Sequence, residues 1–195
     1  VVDQVQVRRP GSGGRWWWQK PEYRTVPTHY RPFTRAYNAG FAAKEALWIV
    51  APHLYLPAAT AYELINTALW DAAGASLMYL QARREEWELS TAAQALPPDH
   101  RLRIAGERRS EGMRRHAEFL DAEATGACRL IETVCSHIAD VGALIRAEDG
   151  AREALIHADR RGAYSTWVPD RTVDLSERVA GLSEGLRQMA VVGSG

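Results

Sequence analysis

Lysine is almost missing from this chain: of its 24 basic residues, only Lys20 and Lys44 are not arginine. A GC-rich genome accounts for that bias without invoking selection for guanidinium chemistry. Cysteine is equally scarce, with Cys128 and Cys135 alone. They lie seven residues apart in a helical stretch, which separates their Cα atoms by about 10 Å and forbids a bond between them. A disulfide scaffold is therefore excluded. With no cleavable signal-peptide pattern at its start, the chain is expected in the reducing cytoplasm, or peripherally at a membrane.

Net charge is also lacking, since 24 acidic residues balance the 24 basic ones. That argues against a polyanion binder working through overall charge. The balance is local in neither half, however. Val1 to Arg35 carries seven basic residues against two acidic ones, whereas His116 to Gly195 carries eight against thirteen. The chain is basic in front and acidic behind.

Long apolar runs are absent too. The longest stretch without a charge, Ala46 to Tyr62, has 17 residues and is broken by Pro52 and Pro57. A spanning helix needs about 20 apolar residues, so a buried or self-associating helix explains this stretch better than a membrane does.

Chemical signatures are missing as well. There is no Gly-rich phosphate loop, no Gly-x-Ser-x-Gly elbow and no Cys-x-x-Cys. A carboxylate-bridged di-metal bundle needs Glu three residues before His on facing helices. The positions three before the six histidines are Val26, Val50, Pro97, Met113, Val134 and Ala154. His137 with Asp140 reads as a surface hydrogen-bonded pair, and His116 and Glu123, seven apart, as solvated positions flanking the seam. Cys135 and His137 point to nearly opposite sides of a helix, so no simple thiolate and imidazole pair forms, and both thiols read as small buried residues. No cofactor, metal or catalytic residue is implied, and the chain reads as a non-enzymatic protein.

What is present is helical periodicity. Met113, Ala117, Leu120, Ala124, Ala127, Ile131, Val134, Ile138, Val141 and Ile145 follow a strict four, three spacing. All ten are apolar, against eight of the other 23 residues between the same ends, and this contrast marks a seam packed on a partner helix. Its N-terminal half is rich in Ala, which permits close approach. Gly126 and Gly142 lie inside the same helix at a cost of about 1 kcal/mol each relative to Ala, so packing must compensate.

Before this helix, Pro97-Pro98 makes a turn and Asp99 is placed to cap. A preceding helix runs from Pro57 toward Leu96, with Ala58, Tyr62, Ile65, Leu69, Ala72, Ser76 and Tyr79 on one stripe. A shorter helix covers Thr34 to Val50. Glu148-Asp149-Gly150 predicts an end or break, Ala151 to Arg161 a further segment compatible with helix, Gly162 to Arg171 a loop, and Asp174 the cap of a last helix carrying Val179, Leu182, Leu186 and Met189.

The predicted class is all-α: a long antiparallel helical hairpin with additional short helices and an extended N-terminal arm. The arm occupies residues 1–35, the hairpin domain 36–150, and a C-terminal loop and helix 151–195.

Two features suggest partners. In the arm, Trp16, Trp17 and Trp18 are interleaved with Arg15, Lys20 and Arg24, a mixture suited to stacking on bases, seating at a lipid headgroup layer, or pinning the arm on the helices. Beyond the turn, Arg101, Arg103, Arg108 and Arg109 form a second basic cluster, which is either a solvated helix face or a phosphate-tracking patch. The leading expectation is self-association, or binding of a helical partner, through the hairpin seam. Nucleic acid bound by arm and Arg cluster is the alternative, and membrane surface the less favoured one.

Overall fold

A computed structural model describes residues 3–11, 21–54, 57–159 and 172–192. Among them the chain is mainly α, with helices α1 (Arg31–Val50), α2 (Ala58–Gln94), α3 (Arg101–Asp159) and α4 (Thr172–Val192). A small sheet of two strands, β1 (Gln4–Arg8) and β2 (Tyr23–Pro27), precedes them. The helical character expected from the periodicity is present, and the sheet is an addition to it.

The residues sort into two compact units that interleave in sequence. The first comprises 1–35 and 69–129, and the second 36–68 and 130–195. Segments of α1, α2 and α3 therefore belong to each.

In the first unit, β1 and β2 pair antiparallel, with Val5 opposite Val26 and Val7 opposite Arg24. The ladder is closed at both ends, where Thr28 N–H donates to the Asp3 carbonyl at 3.0 Å and Arg9 N–H to the Glu22 carbonyl at 2.9 Å. Alternation puts Val5, Val7, Arg24 and Val26 on one face. Val7 and Val26 are buried there. Gly11 sits at φ 69° just beyond β1, a left-handed conformation that glycine adopts at little cost.

After β2, Tyr30 and Phe33 are buried and start α1. The helix begins three residues before the expected Thr34. Its first turn is held by Thr34, whose hydroxyl donates to the Thr28 carbonyl at 3.0 Å.

The α2 and α3 segments of this unit meet through small residues. A side chain on Gly106 would lie 2.9 Å from the Ala93 Cβ, and Ala82, Ala117 and Leu120 form a buried cluster flanked by Tyr79 and Met113. Arg103 donates across the intervening turn to the Leu96 carbonyl at 3.1 Å. His100, not Asp99, takes the capping position: its Nδ1 accepts from Leu102 N–H at 3.2 Å and its carbonyl from Arg103 N–H at 2.9 Å. One extra residue of turn displaces Asp99 from the place where a carboxylate would cap.

In the second unit, Leu47 and Val50 of α1, Ile65 of α2, Ile138 and Val141 of α3, and Leu182 and Met189 of α4 are almost completely buried. A Cβ on Gly142 would meet the Ala46 Cβ at 2.8 Å, and one on Gly185 the Val134 Cγ2 at 2.9 Å. Glycine thus admits α1 and α4 close to α3. The last helix buries Val179, Leu182, Leu186 and Met189 as its spacing predicts, while the loop of 162–171 and the side chain of Asp174 lie outside the described residues.

Helix α3 does not break at Glu148-Asp149-Gly150 but continues to Asp159. Gly150 meets nothing within 4 Å. The residues after it, Ala151-Arg152-Glu153-Ala154-Leu155, are strong helix formers that offset one glycine. From Arg146 to His157 every residue is exposed.

Candidate interaction surface

The seam of α3 faces inward. Ala117, Leu120, Ala124, Ile131, Val134, Ile138, Val141 and Ile145 are buried, and Met113 and Ala127 are half-buried. This chain's own residues cover them. Cys128, in the first unit, and Cys135, in the second, are buried and form no disulfide. Burial pushes the Cys135 thiol up to about 12 against the opposing pull of Lys44, so it stays protonated and unreactive. Lys44 is itself pulled below the ordinary ammonium range by burial, and its Nζ lies 5.0 Å from the centre of the Tyr62 ring.

The arm divides. Arg15, Trp16, Trp17, Trp18 and Lys20 lie outside the described residues. Arg24 is committed to the fold of the first unit: its Nη1 donates to the Trp70 carbonyl at 2.6 Å and its guanidinium lies 4.1 Å from the centre of the Trp70 ring. Gly74 makes room, since a Cβ there would lie 2.5 Å from that Nη1. Beside it, burial raises the Asp71 carboxyl above its usual range while Arg24 pulls it back. Among the described residues the Asp71 Oδ2 is buried with no hydrogen-bond partner.

Tyr30 is the other polar anchor of this unit. Its hydroxyl lies 3.2 Å from the Asp121 Oδ1 and 3.4 Å from the Thr125 Oγ1, and its ring is 5.4 Å from that of Tyr79. Burial pushes its phenol up to about 12. No local pattern points to this pairing, because both hydroxyl partners lie more than 90 residues further along the chain.

The arginine cluster beyond the turn is only partly neutralised. Arg103 pairs with Glu107 at 2.8 Å, and Arg114 and Arg115 share Glu111 at 2.7 and 3.2 Å. Among the described residues no carboxylate pairs with Arg101, Arg108 or Arg109, which are all exposed. Within the same limits, no group of His, Cys, Asp and Glu could hold a metal ion, and no helix is long and apolar enough to cross a membrane.

Periodicity does not reveal the apolar side chains left in solvent. On α1, Phe41 is 60% and Trp48 71% exposed, seven residues apart and so on one face. That face also carries Ala42 and Glu45, both exposed, and turns away from Ala43, Ala46, Leu47 and Val50, which are buried. Tyr62 of α2, 39% exposed, adds a third ring in the same unit. In the first unit, Trp87 and Phe119 are each 65% exposed. A search for aromatic residues seven apart on the side opposite the apolar stripe would find Phe41 and Trp48.

No family model, curated protein or solved structure matches this chain.

Proposed function

We infer that this protein works by assembly, associating with copies of itself through exposed aromatic faces of its helices. The observation that carries this reading is the pair Phe41 and Trp48, two turns apart on the solvent face of α1 and both more than half exposed. Two such rings on one face form an exposed apolar patch of the kind that marks an interaction surface. Covering the exposed parts removes about 300 Å2 from water per protomer, taking 150–250 Å2 for a whole aromatic side chain. At about 25 cal/mol per Å2 this is about 7 kcal/mol gross per protomer. Two protomers contribute twice that, about 14 kcal/mol gross, which covers most of the roughly 4–15 kcal/mol range for the freedom lost on association.

The same reading keeps the helical hairpin as scaffold. Ala93 against Gly106, and Tyr79 and Ala82 with Met113, Ala117 and Leu120, are contacts in which numbers on α2 fall as those on α3 rise. That order favours an antiparallel α2 and α3. Because the α3 seam is covered within the chain, the surface for a second copy is the outer face of α1, where two large aromatic side chains stand uncovered on one face.

Light scattering coupled to size-exclusion chromatography tests the assignment. The wild type is expected to elute as a dimer or larger, and the double variant Phe41→Gln, Trp48→Gln as a monomer with unchanged helical content. A monomeric wild type at micromolar concentration would overturn the reading.

A further inference from the structure

The outer face of the first three turns and more of α3 is a basic strip. At about 100° per residue, Arg101, Arg108, Arg109, Arg115, His116 and Phe119 fall within an arc of roughly 120°, with Ala105 and Gly112 between them. The acidic residues of this stretch, Glu107, Glu111 and Glu118, fall to one side of that arc. The inward direction is set by Ser110 and Ala117, which are buried, and the strip lies roughly opposite to it. The arginines therefore point away from the α2 residues that pack on this part of α3.

Three properties make the strip more than a solvated face. Arg101, Arg108 and Arg115 recur every seven residues, which sets their positions about 10 Å apart along a straight line of about 20 Å. Arg101, Arg108 and Arg109 have no carboxylate partner among the described residues, so their charge is not spent locally. The spacer Gly112 meets nothing within 4 Å, and with Ala105 it leaves the helix surface low between the guanidinium groups. At the end of the line stands Phe119, 65% exposed.

We propose that this face of α3 binds single-stranded nucleic acid, with the arginines on successive phosphates and Phe119 stacked on a base. A line of guanidinium groups, of which only Arg115 shares a carboxylate among the described residues, Glu111 at 3.2 Å, complements a polyphosphate backbone, and an exposed ring beside it complements an unstacked base. A flexible single strand can follow a straight helix, whereas a duplex backbone curves away from one. A bilayer is less suited, because an interfacial helix needs a broad apolar face and the middle of this arc is Arg, Gly and Ala. The site is separate from the aromatic face of α1, so each stands or falls alone.

Fluorescence anisotropy of a labelled oligothymidylate with the full chain tests the proposal, with a duplex of equal length and phosphatidylserine vesicles as further arms. Binding is expected to weaken with salt at about −0.7 in the log–log slope per phosphate contact, so at about −2 to −3 for three or four contacts. The double variant Arg108→Ala, Arg109→Ala should reduce that slope by about 1.4. Phe119→Ala should weaken binding about tenfold and leave the slope unchanged, because stacking releases no counterions. Arg83→Ala, Arg84→Ala, on an α2 surface outside the strip, should change neither. The proposal is overturned if the oligonucleotide fails to bind at low salt, if the duplex binds as tightly and Phe119→Ala has no effect, or if only the vesicles bind.

Discussion

Two glycines in one helix should respond to the same substitution with opposite signs. Both Gly126 and Gly142 lie inside α3, and replacing either by Ala gains about 1 kcal/mol of helix propensity. At Gly126 the new methyl group meets nothing within 4 Å, so the gain should survive. At Gly142 it would lie 2.8 Å from the Ala46 Cβ and 3.4 Å from the Val50 Cγ2. Carbon atoms rest at about 3.5–4.0 Å, and a Cβ cannot swing aside without its backbone. Helix α1 must therefore shift, and overpacking of this kind costs about 1–3 kcal/mol. Taking the upper part of that range, because backbone must move, Gly142→Ala should destabilise by about 1–2 kcal/mol where Gly126→Ala stabilises by about 1 kcal/mol. Urea unfolding followed by far-ultraviolet circular dichroism measures both. Adding Ala46→Gly to Gly142→Ala exchanges knob and hole, and should restore most of the loss. If Gly142→Ala stabilises as much as Gly126→Ala, the close approach of α1 and α3 is refuted.

Two further outcomes follow from the polar anchors. The folded Tyr30 phenol titrates at about 12, above its ordinary 10.0, so the fold favours its protonated form. Its contribution is complete below pH 10 and is lost as pH rises toward 12. The loss amounts to about 2–3 kcal/mol at 1.36 kcal/mol per unit, and the slope of stability against pH in that window should be shallower in Tyr30→Phe, read from urea midpoints. Gly74→Ala should expel the Arg24 guanidinium from the Trp70 carbonyl without moving helices, since the clash is with the end of a flexible side chain. A loss of about 1.5–3 kcal/mol for a charged hydrogen bond, less about 1 kcal/mol of helix gain, is expected. Arg24→Ala in the same background should then cost little more, and an additive loss would contradict the coupling.

The α3 seam is legible in the amino-acid order because its ten positions repeat without exception, and burial follows that repeat closely. The sheet is not. Gln4-Val5-Gln6-Val7 alternates, but Arg24-Thr25-Val26 sets two polar residues in a row, and the strands are short and joined by a long connection with no two-residue turn to announce a hairpin. Nor does Arg24 stand out from its neighbours in a basic arm, since nothing local distinguishes an arginine that stacks on Trp70 from one in solvent. Along α2, Tyr62 fits the four, three stripe of its sequence yet is 39% exposed, with the Lys44 ammonium group rather than an apolar side chain 5.0 Å from the centre of its ring. Periodicity says which residues are apolar. It does not say how many helices arrive to cover them, and for that reason it is silent on the outer face of α1.

The interleaving of the two units has a consequence for the order in which the chain comes off a ribosome. Residues 36–68 leave early but belong with 130–195, so α1 and the start of α2 emerge long before the surfaces that bury Leu47, Val50 and Ile65 exist. All residues of the first unit have been made once residue 129 is out, while this segment still waits for its partners. Neither unit is a contiguous stretch, so no single cut releases one intact. Synthesis of the last third of the chain is the step that retires an exposed apolar segment, and a stalled ribosome there would present it to any chaperone nearby.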